Sequence, residues 1–145
     1  MKKGFTLIEL LVVTTVLGIL MAVGVVSYQS SLKKGRDAKR KADLEQIRSA
    51  LEMYRADNGN YPAVSGNAET SLTSYLVTAP NNYLTSFPKD PQDTSKGYYY
   101  YYDGTATVYN LCAYLDSPDA SSPCGSSGAC GGTPPVNCNF GLSNP

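Results

Sequence analysis

The chain has 145 residues, and its 12 basic and 12 acidic residues balance, so its net charge indicates neither an acidic nor a basic partner. It contains no histidine. This removes the commonest general base and metal ligand, and with them Ser-His and Cys-His catalysis. A Gly-rich phosphate loop of the Walker type is also absent from the sequence. We therefore expect a protein that is not an enzyme.

The first predicted element is an apolar run over residues 5–26, which carries a single ionisable side chain, Glu9. At about 1.5 Å per residue, a helix of roughly 22 residues covers the ~30 Å hydrocarbon core of a bilayer. A carboxylate inside a membrane is costly and normally marks a position that finds a partner. If the chain is cut between Gly4 and Phe5, the new α-amine lies one helical turn before Glu9. The two groups could then pair within one helix or between adjacent subunits.

Residues 2–10, KKGFTLIEL, resemble the leader and cleavage site of type IV pilins and of the pseudopilins of type II secretion. The resemblance implies that a prepilin peptidase cuts after Gly4, that Phe5 becomes N-methylated, and that the apolar helices polymerise into a filament core. It also implies that Glu9 pairs with a neighbour's Phe5 amine during assembly. The alternative is a secretory signal or a plain anchor. A secretory signal has a shorter apolar region of roughly 7–15 residues, and a plain anchor leaves Glu9 unexplained.

Residues 27–58 are predicted to continue the helix, because they contain no proline and a single glycine. Leu44, Ile47, Leu51 and Tyr54 have the spacing of one apolar helical stripe, which we expect a sheet to cover. Gly59, with a proline three residues later, ends the helix.

Basic residues outnumber acidic ones between positions 33 and 48. We interpret this cluster as a solvated helix face, because it lacks the interleaved aromatic residues of single-strand nucleic-acid binding. Counting charges beside the membrane would place this side of the anchor in the cytoplasm. The four cysteines instead favour an oxidising, extracytoplasmic compartment, and the family resemblance implies the same orientation, which we adopt.

Residues 59–97 are predicted to form a loop region in which Leu72, Tyr75 and Leu76 could make a short helical turn. A run of five tyrosines, residues 98–102, then predicts a strand. Asp103-Gly104 predicts a hairpin turn, with residues 105–115 as the return strand. Alternate tyrosines would point to opposite faces. We interpret the outward ones as amphipathic surface, with a role in subunit contacts or binding as the alternative.

Residues 50–62 and 83–91, the second with the turn Pro-Lys-Asp-Pro, look like the major pseudopilin of type II secretion. The resemblance extends to about Tyr102 and fades beyond it. In that family a similar helix end precedes a loop and a turn that leads into the sheet.

The tail after residue 116 is rich in Ser, Pro and Gly, and its four cysteines are expected to fix its shape; they are Cys112, Cys124, Cys130 and Cys138. Three pairings are possible. If residues 136–140 return as a strand beside residues 109–114, Cys112 pairs with Cys138 and Cys124 with Cys130. Zinc is the alternative, but the close cysteine pairs of zinc sites are missing.

The resemblance to major pseudopilins also implies a calcium ion in a loop near the C-terminus. Asp103, Asp116 and Asp119 are the carboxylates of the corresponding region. Because the cysteine-bearing tail departs from the family pattern, we expect the disulfides to fix this loop, and we expect no metal or other cofactor.

The predicted fold is α+β, with a long N-terminal helix packed against a small antiparallel sheet and a disulfide-stapled C-terminal loop. The predicted segments are a leader (1–4), a transmembrane and filament-core helix (5–26) and an extracytoplasmic domain (27–145), the last divided into an amphipathic helix (27–58), a loop region (59–97) and a sheet with the Cys-rich tail (98–145).

The expected function is that of a structural subunit of a type IV filament, either a secretion pseudopilus or a surface pilus. The resemblance implies as partners identical and related pilin subunits, the membrane, a prepilin peptidase, an assembly ATPase and an inner-membrane platform protein. The expected location is the cytoplasmic membrane, with the C-terminal domain outside, and then a periplasmic or cell-surface filament. The alternative is a monomeric, membrane-anchored binding domain that uses the tyrosine-rich strand.

Overall fold

The computed structural model describes residues 4–78, 82–117, 124 and 128–144, except for the side chain of Val26. The chain divides into two compact units, Met1–Gly35 and Arg36–Pro145. Helix α1, Leu7–Asn58, belongs to both units. Its residues up to Gly35 are in the first unit, and its residues from Arg36 onward are the first element of the second unit. The predicted long N-terminal helix is therefore confirmed.

In the first unit, every side chain that the structure describes is exposed, and most of them are apolar. The exposed fraction reaches 88% at Phe5 and is still 62% at Val25. Among the described residues, α1 is the one helix long and apolar enough to cross a membrane. The physical cost of exposing so much apolar surface to water means that this segment requires a lipid or protein environment.

In the second unit, the end of α1 carries the predicted apolar stripe. Leu44, Ile47 and Leu51 are completely buried, and Tyr54 is half-buried beside them. The helix ends at Asn58 because Gly59 adopts a positive φ of 81° and donates its backbone N–H to the Arg55 carbonyl at 2.7 Å. A residue with a side chain would be strained in this conformation.

The sheet of the second unit has four antiparallel strands in the order β1-β2-β3-β4. Their bounds are β1, Ser65–Asn67; β2, Tyr101–Gly104; β3, Tyr109–Ala113; and β4, Phe140–Ser143. Tyr102, Leu111 and Leu142 lie side by side across three strands and belong to the core that includes the stripe of α1. The predicted packing of the helix against an antiparallel sheet is thus confirmed.

Three short elements lie among the described residues of the predicted loop region 59–97, so the prediction is wrong for residues 65–67 and 93–96 and understates the helix over residues 68–76. Strand β1 pairs with β2, and helix α2, Ala68–Leu76, follows it directly. Asn67 caps α2 by accepting a hydrogen bond of 2.9 Å from the Glu69 backbone N–H. Leu72 and Leu76, two of the three residues expected in one helical turn, anchor α2 in the core. A further single turn, α3, covers Asp93–Lys96.

The hairpin is shifted relative to its prediction. Asp103 and Gly104 belong to β2, where they pair with Asn110 and Tyr109, and the connection is made by residues 105–108. This loop closes through a hydrogen bond of 2.8 Å from the Thr105 N–H to the Val108 carbonyl. Gly104 is required for packing instead of for a turn, because a Cβ there would lie 2.1 Å from the hydroxyl of Tyr102.

The C-terminal strand, predicted over residues 136–140, also begins later than predicted, and this changes the pairing of the cysteines. Strand β4 starts at Phe140, so Gly141 and not Cys138 lies opposite Cys112. The structure pairs Cys112 with Cys124 and Cys130 with Cys138. The predicted pairing of Cys112 with Cys138 and of Cys124 with Cys130 is therefore wrong, although all four cysteines are in disulfides.

Candidate functional site

The polar side chains at the start of α1 form a local hydrogen-bonded arrangement. Thr6 immediately precedes the helix, and Glu9 lies in its first turn. The backbone N–H and the hydroxyl of Thr6 both donate to Glu9 Oε2 at 2.9 Å, and the Glu9 N–H donates to the Thr6 hydroxyl at 3.3 Å. This is the reciprocal pattern of a capping box, which satisfies backbone donors that the first turn otherwise leaves unpaired.

The capping box gives Glu9 a role within a single chain, which the sequence analysis missed. Its signal is present in the sequence as Thr6-x-x-Glu9 before an apolar run. All of its atoms lie C-terminal to the Phe5 carbonyl, so a cut between Gly4 and Phe5 would leave it intact.

One carboxylate oxygen of Glu9 remains available for a second interaction. Oε2 accepts both hydrogen bonds from Thr6. Among the hydrogen bonds between described residues, none has Oε1 as its acceptor. The side chain is exposed, and the flanking Phe5, Ile8, Val12 and Val13 form an apolar surface around it. Glu9 can thus accept a cationic donor from another chain without breaking its own cap.

The carboxylates considered for calcium do not come together. Asp103 is exposed on β2 and pairs in register with Asn110, near the start of β3, whereas Asp116 follows the end of β3. At about 3.3 Å per residue, the length of β3 separates Asp103 from Asp116 by far more than a metal–ligand distance. The two carboxylates therefore cannot bind the same ion. Asp119 lies outside the described residues. Within the described ranges, no group of three or more Asp, Glu, Cys or His side chains is placed to hold a metal ion.

The Asp116 carboxylate is bound by two arginines. Its Oδ2 accepts from Arg36 Nη2 and Nε, both at 2.8 Å, and from Arg40 Nη1 at 3.2 Å. Burial acts to raise the pKa of Asp116, but the hydrogen bonds and charges of the two arginines outweigh it and hold the pKa below its ordinary value. A calcium ion would need six to eight oxygen ligands, and it would be repelled by the two guanidinium charges at this carboxylate. The carboxylate of Asp116, as bound by its two arginines, therefore does not fit a calcium ion.

Arg40 is the largest departure from the predicted solvated helix face, because its side chain is completely buried. Lys39, its neighbour in the chain, is exposed as predicted. Burial acts to lower the pKa of Arg40. The pKa nevertheless lies above its ordinary value, because Asp90, Asp116 and Asp37 surround the guanidinium.

The tyrosines on the outer face of the sheet contact the Cys-rich tail. Tyr101 and Tyr114 pack against a second small core formed by Cys112, Cys130 and Cys138. Tyr100 and Tyr102 point the other way, into the main core. The predicted alternation holds for Tyr100 to Tyr102, where the outward Tyr101 contacts the tail. The predicted strand over residues 98–102 is wrong for residues 98–100, because β2 begins at Tyr101.

Two family models match the chain. Residues 27–121 match the model described as Type II secretion system (T2SS), protein G, and residues 1–25 match the Prokaryotic N-terminal methylation motif. The two matches reach into both units but end at residue 121, so they leave out residues 122–145. The methylation-motif match includes Gly4, Phe5 and Glu9.

Several relatives carry one and the same name. The chain is 34% identical to the type II secretion system core protein G of Vibrio cholerae serotype O1 over 118 residues, which are 77% of this chain and 81% of that protein. It is 34% identical to the core protein G of Pseudomonas aeruginosa over 116 residues, 76% of this chain and 80% of that protein. The corresponding protein of Klebsiella michiganensis is 32% identical over 96 residues, 62% of this chain and 68% of that protein. No solved structure matches the chain.

Proposed function

This chain belongs to the family of type II secretion system protein G, the structural filament subunits called major pseudopilins, and from that premise we propose that it polymerises into a secretion pseudopilus through the start of α1. The observation that carries the proposal is the exposed apolar surface around Glu9. Transfer of this apolar surface from water into contacts between neighbouring helices is strongly favourable. We therefore expect the surface to be buried in the assembled filament.

The assembly step that we propose uses both oxygens of Glu9. Oε2 keeps the helix start closed through Thr6, and Oε1 accepts the Phe5 amine of a neighbouring subunit. In a water-poor environment an ion pair of this kind is strong, and an unpaired carboxylate is costly. The pair therefore selects the axial offset at which one helix docks on the next.

Processing and location follow from the same proposal. A prepilin peptidase cuts after Gly4 and the new Phe5 amine is methylated, as the match of residues 1–25 to the methylation motif supports. The uncut chain is held in the cytoplasmic membrane by α1, with the disulfide-bonded unit on the oxidising side. Assembly then requires an ATPase and a membrane platform protein, while the chain itself has a structural role and no catalytic one.

A second function, that of a monomeric anchored domain, is favoured by one observation. The capping box explains a carboxylate at position 9 without any neighbouring subunit. If this is the whole role of Glu9, the residue is needed for the helix start and not for assembly.

Two substitutions of Glu9 separate its role in subunit pairing from its role in the helix cap. Glu9→Gln keeps an oxygen that can accept the Thr6 N–H, as glutamine does in other capping boxes, but removes the charge. Glu9→Ala removes both. We expect both variants to insert into the membrane normally and to be missing from the sheared filament fraction.

The comparison is made by membrane fractionation and by immunoblotting of sheared filaments. Thr6→Ser, which keeps the hydroxyl, serves as the matched control and should assemble like the unaltered chain. Filaments from Glu9→Gln at the normal level would reject the ion-pair step. Absence of the unaltered chain itself from the sheared fraction would favour the monomeric anchored domain.

A further inference from the structure

The loop that follows β3 is fastened to α1 by its backbone as well as by its carboxylate. The N–H groups of Asp116 and Ser117 donate to the two oxygens of Asp37, at 2.8 Å and 2.9 Å. Asp37 is itself buried and lies on α1, one residue after Arg36. The same turn of the helix thus supplies an acceptor for the loop backbone and a donor for the loop side chain.

The buried Arg40 connects this loop to a second one. Its Nε and Nη2 donate to the two oxygens of Asp90 at 2.7 Å and 3.2 Å, and its Nη2 also donates to Gln92 at 3.0 Å. Its Nη1 donates to Asp37 at 2.9 Å and to Asp116 at 3.2 Å. Every guanidinium nitrogen is therefore hydrogen-bonded, as a buried charge requires.

These contacts place two fixed positive charges among three carboxylates that come from distant parts of the chain. Asp37 is on α1, Asp90 is in the Pro-Lys-Asp-Pro turn, and Asp116 follows β3. Joining separate loops through their carboxylates is what a bound divalent cation commonly does in proteins. Here the guanidinium groups of Arg36 and Arg40 occupy the oxygens that such an ion would use.

We propose that Arg40, together with Arg36, is the built-in cation that holds the loop after β3 on α1, so that the folding of this chain is independent of calcium. The proposal concerns the second unit alone and does not depend on filament assembly. It adds a covalently attached cation to the two disulfides as a means of fixing the C-terminal part of the domain.

The first test measures thermal unfolding of the full chain, purified in detergent, in EGTA and in millimolar CaCl2, with MgCl2 as the ionic control. We expect the three midpoints to agree within about 1 °C, because no ligand binds the folded state preferentially. A midpoint that rises saturably with CaCl2 and not with MgCl2 would overturn the proposal.

The second test asks whether the arginines hold the loop. Arg36→Gln removes a partly exposed partner of Asp116 and leaves both disulfides in place. We expect its midpoint in EGTA to fall by about 5 °C, whereas Lys39→Gln, an exposed lysine of the same helix, should change it by no more than about 1 °C. Equal midpoints for the two variants would overturn the proposal.

Arg40→Gln is the more severe change, because it leaves Asp37 and Asp90 buried without their cation. A fall of at least about 10 °C, or failure to fold, is expected from the cost of unpaired buried charge. An Arg40→Gln variant as stable as the unaltered chain in EGTA would contradict the proposal as directly as a calcium-dependent midpoint.

Discussion

The hydroxyl of Tyr100 donates a hydrogen bond to Asp43 Oδ2 at 2.7 Å, and both residues are buried. Tyr100 leads directly into β2, while Asp43 lies on α1, so this bond joins the sheet to the helix through polar groups inside the core. A second link of this kind follows along the helix, where Tyr109 and Tyr61 donate to Glu52 at 3.0 Å and 2.9 Å. The tyrosines thus orient the sheet on α1 as well as filling the core.

Tyr100→Phe should destabilise the second unit by about 2 kcal/mol, because it keeps the ring but leaves a buried carboxylate without its donor. The free energy of unfolding, measured with urea, tests this. The matched control is Tyr99→Phe, at the half-exposed neighbour, which should cost less than about 0.5 kcal/mol. An equal cost for both variants would show that the bond to Asp43 contributes nothing measurable.

Acid should weaken the domain through Asp116. Its pKa, which burial acts to raise, is held below the ordinary 3.8 by Arg36 and Arg40. Since the unfolded chain then binds a proton at a higher pH than the folded chain, the contribution is fully present above about pH 4 and is lost as the pH falls further.

The variant Asp116→Asn should be less stable at neutral pH and should lose less stability than the unaltered chain between about pH 5 and pH 2. Thermal midpoints across this range measure the difference. Asp103→Asn, at an exposed carboxylate of β2, is the control and should keep the pH profile of the unaltered chain. A profile of Asp116→Asn parallel to that of the unaltered chain would contradict the assignment.

The features that the sequence predicts well are local ones. The stripe from Leu44 to Tyr54 repeats with the helical period, and Gly59 has the backbone freedom that a helix end needs, so both can be read within a short window. Residues 2–10 carry their information in the same way, as a contiguous motif. Thr6 belongs to this class as well, since its spacing from Glu9 is a capping signal that is visible in the sequence.

The features that the sequence does not predict depend on distant partners. Arg40 sits in a basic cluster, and its burial is stabilised by Asp90 and Asp116, which lie 50 and 76 residues further along the chain. The register of β4 is equally non-local: a strand that begins at Phe140 places Gly141 opposite Cys112. Nothing in the spacing of four cysteines favours that register over one with Cys138 at the same position.

The intact mass of the protein from a sheared fraction should reveal processing and oxidation together. We expect a mass that lacks residues 1–4, includes one added methyl group, and increases by about four hydrogens on reduction, since two disulfides are present. The unsheared membrane fraction is the control, because it should also contain chains that have not assembled. A full-length or differently cut mass, found in membranes alone, would contradict the proposed processing.

Gly141→Ala should prevent the Cys112–Cys124 disulfide from occupying its place over the sheet. A Cβ at this position would lie 1.9 Å from Cys124 Sγ and 2.9 Å from the Leu111 carbonyl oxygen, and the second of these is backbone that cannot move aside easily. We expect a lower thermal midpoint and free thiols at both cysteines, while the Cys130–Cys138 bond persists. Peptide mapping without reduction identifies the pairs.

Gly35→Ala is the control, because nothing lies within 4 Å of its added Cβ and alanine favours a helix over glycine by about 1 kcal/mol. Recovery of a Cys112–Cys138 peptide from the unaltered protein would contradict the observed pairing and restore the one that the sequence predicts.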